Sequence, residues 1–285
     1  MIYQTSLEVL RKESDKMRNF KPVVIPFILA AYLALHGCGS GDVSKKVGSL
    51  DSAEIIAESD SKKESIKDLF KLANENVGSA QGKLAQEFYD GLYIKANDTK
   101  ALYWAEKAYK NKDSLGTLLL ARMTFYGEGT DKNPTQAIKL MESIVTERIE
   151  AGYILGKMYF DLSDQNPEYA LKGAELISKS AENGFPIAQY EHAQTLLIGS
   201  KEPNQNLDPK LRLSIQKNAV GFMSMAADQE YIPAVRDMGL FYLNGYIVDK
   251  DINQGKSLLE LASRNGDQAA ISCLTENNCD LGVYK

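Results

Sequence analysis

The chain has 285 residues, 44% of them apolar and 25% charged, with a formal net charge of −5. That is enough apolar material for the core of one elongated domain or two compact ones. The acidic balance excludes the broad basic surface that a phosphate backbone requires, so no nucleic-acid partner is expected.

Near the start, Lys21 precedes "PVVIPFILAAYLAL", Pro22 to Leu35, an apolar run followed by "HGCGSGD". A basic flank, a short apolar stretch and small residues at its end describe an export signal over residues 1–37. The run is short for a membrane-spanning helix. Met17-Arg18-Asn19 opens a shorter, more ordinary form of the same signal. Leu35 and Gly37-Cys38 resemble the lipobox of bacterial lipoproteins, with His36 departing from the residue usual at its place. The resemblance implies cleavage before Cys38 and a lipid on its thiol; the alternative is an anchor that stays attached. Gly39 after the cysteine leans toward the outer membrane, on the periplasmic face of the envelope. Residues 38–60, polar and rich in glycine and serine, read as a tether.

From there a repeat governs the chain. Small residues stand at Ala80, Gly116, Ala151, Ala188, Ala234 and Ala270, at intervals of 36, 35, 37, 46 and 36. Such a period means stacked two-helix units. Four residues after each anchor come Leu84, Leu120, Leu155, His192, Met238 and Leu274; eight after come Phe88, Thr124, Tyr159, Leu196 and Tyr242. Offsets of zero, four and eight share one helical face, the buried stripe of a first helix. Turn glycines follow at Gly91, Gly127, Gly199 and Gly245. Second helices then place Ala101, Ala137, Ala174, Val220 and Gly255 at the head of their stripe, with Trp104, Leu140, Ile177, Met223 and Leu258 three later. Asn133-Pro134 and Asp208-Pro209 supply N-terminal caps, and Gly184 and Gly266 supply C-terminal ones. Residues 61–75 read as a lone second helix capping the stack, and those from Asp267 as a lone first helix. The fourth unit is longer: Ser200 to Asn218 adds a loop and about two turns of helix.

The anchor, the Leu-Gly-like pair (Leu155-Gly156 or Met238-Gly239), the turn glycine, and the Ala- and Trp-bearing second helix resemble Sel1-like repeats. The fullest matches are Ala80 to Lys110 and Ala234 to Gly266, with the third and fourth units degenerate. The resemblance implies an all-α fold, a right-handed α-solenoid of about five Sel1-like repeats with capping half-repeats over residues 61–276. A tail follows at 277–285. It also implies a recognition scaffold rather than a particular chemistry.

Catalytic constellations do not assemble from the remaining residues. Beyond His36 in the signal, His192 stands alone, in a column otherwise held by Leu or Met, and reads as buried between helices. No cofactor or metal is expected. The cysteine pairs in every repeat of some β-lactamase-linked relatives are absent, which makes that enzymatic reading the weakest of three. Cys273 and Cys279 are expected either to form a short-loop bridge, as a periplasm permits, or to remain as two thiols in an apolar corner.

Surface therefore carries the functional expectation. Offsets two and six should face a concave groove, placing Leu118, Tyr153, Tyr190 and Arg236 beside Arg122, Lys157 and Gln194 as a partner-binding set. The alternatives are an ordinary solvated face, or contact through the Ser200 to Asn218 insertion. The family resemblance offers two jobs for such a lipoprotein. One is neutralising an antibacterial toxin, such as a phospholipase delivered by type VI secretion. The other is scaffolding an envelope-assembly or polysaccharide-export machine.

Overall fold

The computed structural model describes residues 50–201, 207–276 and 279–284. The signal, Cys38 and much of the expected tether lie outside this range. Twelve α-helices occur among the described residues, with an isolated β-bridge and no strand. The chain divides into two compact units, with the boundary between Ala151 and Gly152.

In the first unit, α1 (Asp60–Asn74) is the expected cap and packs on α2 (Gly78–Asp90). Then α3 (Asp98–Lys110), α4 (Ser114–Tyr126) and α5 (Pro134–Glu142) follow, each packed on its predecessor, with α2 also meeting α4. Ile66, Leu84, Phe88, Trp104, Met123, Phe125 and Met141 are fully buried between them. The tether ends sooner than expected. A 3-10 turn, Ser52–Glu54, leads into an antiparallel bridge between Ile55 and Ile94, and Lys100 Nζ pairs with Glu54 at 2.7 Å. Ile56 donates its backbone N–H to the Tyr93 carbonyl at 2.9 Å and Lys95 donates to that of Glu54 at 2.7 Å, so residues 51–57 dock on the α2–α3 turn instead of running free.

The second unit begins within α6 (Ile149–Asp161), followed by α7 (Pro167–Glu182), α8 (Pro186–Gly199), α9 (Pro209–Asp228), α10 (Ile232–Asn244), α11 (Ile252–Arg264) and α12 (Gln268–Glu276). Each helix from α8 to α12 packs on the one before. The extension of α9 is as expected: 20 residues against 13 in α3 and α11, or about two turns. Cys273 and Cys279 are joined by a disulfide, which turns the chain back toward a final 3-10 turn, Gly282–Tyr284.

The reversing turn has one construction in three units. Gly91, Gly127 and Gly245 end their helices at φ of 69°, 82° and 66°, where a Cβ is disfavoured. The capping residue of the next helix, Asn97, Asn133 or Asp251, then donates its backbone N–H to the carbonyl of Phe88, Thr124 or Tyr242. Gly199 does not belong to this set. It is the last residue of α8, and Ser200 ends that helix, because the insertion replaces the tight reversal.

The second-helix stripe differs by one residue from the expected register in two units. Its head is Gly173, not Ala174, and Ala219, not Val220, giving Ala101, Ala137, Gly173, Ala219 and Gly255, all buried. Each must meet the small residue of its own first helix. A Cβ on Gly156 would lie 2.9 Å from the Gly173 carbonyl oxygen, and one on Gly255 2.9 Å from that of Gly239. Backbone thus touches backbone, and the next positions, Ala105, Met141, Ile177, Met223 and Leu259, are buried behind the contact. At the end of the chain Cys273 takes the buried position, leaving Leu274 exposed.

Candidate protein-binding surface

The residues expected to line an open groove are instead largely built into the molecule. Leu118, Tyr153, Lys157 and Tyr190 are buried, whereas Arg122, Gln194 and Arg236 keep partial exposure. The correction has a physical reason. Offset two faces the next first helix across the stack, where polar side chains stay buried only if they find partners there.

In the first unit, Arg122 lies over the Tyr89 ring at 5.1 Å and donates to its hydroxyl at 3.4 Å. That hydroxyl donates to Glu128 at 2.9 Å. Burial pushes the Tyr89 phenol up to about 12, with Arg122 opposing the rise. Leu118 is simply core.

In the second unit the same arrangement is written twice. Tyr153, two after its anchor, donates its hydroxyl to Glu191, three after the next anchor, at 2.6 Å. Lys157 reaches the other Glu191 oxygen at 3.4 Å. One unit on, Tyr190 donates to Asp237, again three after the next anchor, at 2.9 Å. Asp237 is 2% exposed, so its charge needs full compensation. Arg236 Nε donates to it at 2.7 Å and Tyr284 at 2.6 Å. Arg236 also holds Asp267 at 3.1 Å and the Tyr190 hydroxyl at 3.2 Å. Gln194 donates to Tyr190 at 2.8 Å and to Tyr284 at 3.1 Å. Burial first, and the Asp237 carboxylate second, raise both phenols far above their ordinary range and keep them donors. Burial works against the Arg236 charge, but Asp237 and its neighbours more than restore it.

Tyr190, Gln194 and Arg236 come together around Asp237 and beneath Tyr284, two residues that sequence reasoning missed. The available signal for Asp237 was its offset: Glu191 stands at the same place one unit earlier. Tyr284 belongs to no repeat column and could not be placed. His192 is half-buried, edge-on to Phe222 at 4.9 Å, and burial lowers its pKa. Among the described residues no group of three or more His, Cys, Asp or Glu side chains is arranged to hold a metal. No helix among them is long and apolar enough to cross a membrane.

The family model for the Sel1 repeat matches residues 78–113, 114–144, 149–185 and 232–267. The third unit is thus a recognisable repeat despite its missing turn glycine, while the lengthened fourth unit falls between matches. A Sel1 repeat protein from Oxalobacter formigenes is similar in structure, with a TM-score of 0.55 and 17% identity over 73% of this chain and 82% of that one. A protective antigen of uropathogenic Escherichia coli strains, c5321, which displays an SLR fold, aligns at 23% identity with a TM-score of 0.39, over 74% of this chain and 51% of that one. No curated protein sequence matches the chain. Twelve helices in the described residues, four matched repeats and a structural neighbour of the same kind agree on an all-α solenoid fold class typical of protein–protein interaction. The chain is a Sel1-like repeat protein.

Proposed function

We propose that the protein is an exported lipoprotein, anchored through Cys38 on the periplasmic face of the outer membrane, that binds a protein partner through its repeats and performs no chemistry itself. The partner class favoured here is an antibacterial toxin, such as a type VI-delivered phospholipase, which the protein would neutralise where the toxin acts. The carrying observation is the pairing of a lipobox-like Gly37-Cys38 after an apolar run with matched Sel1 repeats, a protein-interaction scaffold. Rigid helices present Arg122, Gln194 and Arg236 at partly exposed positions, each held by neighbours, so little entropy is lost when a partner docks. Cells expressing the product of the neighbouring gene, and killed by it, provide the test. The intact protein should protect them, and Cys38→Ser, which cannot carry the lipid, should lose both fatty-acid label and protection. Equal label on both proteins overturns the anchor; absence of protection by the labelled wild type overturns neutralisation.

A further inference from the structure

The end of the described chain sits on the repeats in the manner of a ligand. Beyond the Cys273–Cys279 disulfide, residues 280–284 leave the helical repeat and return to α8. Tyr284 is 4% exposed although it belongs to no repeat. Its ring stands edge-on to Phe241 at 4.9 Å and near Tyr246 at 6.3 Å, within the cluster formed by Leu197, Met223 and Met238. Its hydroxyl donates to Asp237 at 2.6 Å and accepts from Gln194 at 3.1 Å.

Two observations separate this from ordinary core packing. One unit earlier, the equivalent acidic residue, Glu191, is satisfied by Tyr153 and Lys157 from its own neighbouring helix. Asp237 has Tyr190 as the counterpart of Tyr153, but Gln194, in the place of Lys157, bonds Tyr190 and Tyr284 instead; Arg236 from its own helix and Tyr284 from outside the repeat complete the set. The surroundings also select for a phenol, with an apolar aromatic wall, a buried carboxylate acceptor and an amide donor converging on one hydroxyl. A buried polar recess of this kind discriminates strongly against a side chain lacking the hydroxyl.

We propose that the recess formed by Tyr190, Gln194, Arg236, Asp237 and Phe241 is a docking site for a tyrosine-bearing peptide segment of a partner protein, with residues 280–284 as its resident placeholder. This deepens the protein-binding reading and rests on it, but needs neither the lipid anchor nor a toxin. A partner segment would exchange with the placeholder, replacing the phenol–carboxylate bond with an equivalent one. The disulfide shortens the tether and raises the placeholder's local concentration, so a partner must outcompete it.

The test uses a fluorescent peptide of the sequence Asp-Leu-Gly-Val-Tyr-Lys and the full chain, read by anisotropy. Tyr284→Ala, checked for native helical content, should bind the peptide at least about tenfold more tightly than wild type, because a tethered competitor acts at up to millimolar effective concentration. A peptide with Phe in place of Tyr should lose most of that affinity. Cys273→Ser combined with Cys279→Ser keeps Tyr284 but loosens its tether, and should also bind more tightly than wild type, which carries the test if Tyr284→Ala misfolds. Equal binding by all three chains, no binding by either variant, or indifference to the Tyr-to-Phe change overturns the site. A site that passes while the neighbouring gene's product neither binds nor kills leaves this inference standing and removes the toxin reading.

Discussion

Asn111 donates its side-chain amide to the Gln81 oxygen at 2.7 Å, tying the end of α3 to the start of α2. Gln81, fully buried and next to the anchor Ala80, in turn donates to the Ala73 carbonyl at 3.0 Å and to Asn76 at 3.2 Å. The second unit builds the same clamp from Gln189, next to Ala188, with Gln229 at the end of α9 donating to it at 2.8 Å and to the Gly184 carbonyl at 3.0 Å. Each clamp satisfies polar groups where consecutive helices join, so repeats are held in register by more than apolar area. Gln81→Ala removes three side-chain hydrogen bonds from a fully buried position, although Asn111 keeps Asn76 and the Ala73 carbonyl keeps the Asn76 N–H, and should cost about 1–3 kcal/mol. Urea midpoints measure it; a midpoint equal to wild type would show that water replaces the clamp at no cost.

Backbone contact between paired helices makes a second expectation. A methyl on Gly156 meets the Gly173 carbonyl oxygen at 2.9 Å, and backbone cannot swing aside as a side chain can. Gly156→Ala should destabilise by about 1–3 kcal/mol through overpacking. Gly184→Ala offers a contrast, since nothing lies within 4 Å of a Cβ there and only its φ of 94° opposes the change. A thermal melt of Gly156→Ala matching wild type would contradict the contact.

Strain at helix ends is open to relief. Second helices end in a left-handed residue at Asn76, Lys112, Gly184, Glu230 and Gly266, so Lys112 and Glu230 hold φ of 58° and 57° where two counterparts are glycine. Lys112→Gly or Glu230→Gly should stabilise by up to about 1 kcal/mol, the left-handed penalty less the entropy glycine loses on folding. A lower melting temperature for both variants would contradict it.

His192 sets a pH dependence. Burial lowers its pKa below the ordinary 6.5, with Glu182 opposing, so the unfolded chain binds the proton more readily than the folded one. Stability from the neutral imidazole is therefore complete above about pH 6.5 and lost as pH falls toward the folded value. His192→Leu, the residue of its column in other units, should flatten the stability profile between pH 7 and 5 relative to wild type. Parallel profiles for the two proteins would remove His192 as the cause.

Much of this architecture was legible because the repeat imposes two periods at once, 36 residues along the chain and 3.6 within each helix. Both lone caps and the lengthened α9 followed from those periods alone. Register in the second helices was harder to read. Ala174 and Val220 are as apolar as their neighbours, and only contact with Gly156 and Ala193 selects Gly173 and Ala219. The candidate surface was less legible still, because a Tyr or Lys two or six residues after an anchor looks solvent-facing on a single helix. Its burial comes from Glu191 or Asp237 one unit on, a partner that helical periodicity does not reveal. Tyr284 lies outside the period altogether.

Partner binding by the repeat surface is the central claim, and calorimetric titration of the purified chain with the product of the neighbouring gene measures it most directly. A saturable one-to-one heat is predicted, weakened by about 1–3 kcal/mol in Arg122→Ala or in Arg236→Lys, which keeps a cation beside Asp237, while the helical circular-dichroism signal is retained. Absence of heat from the wild-type chain, or affinity unchanged by both substitutions and lost only when the Ser200 to Asn218 insertion is cut back to repeat length, would contradict it.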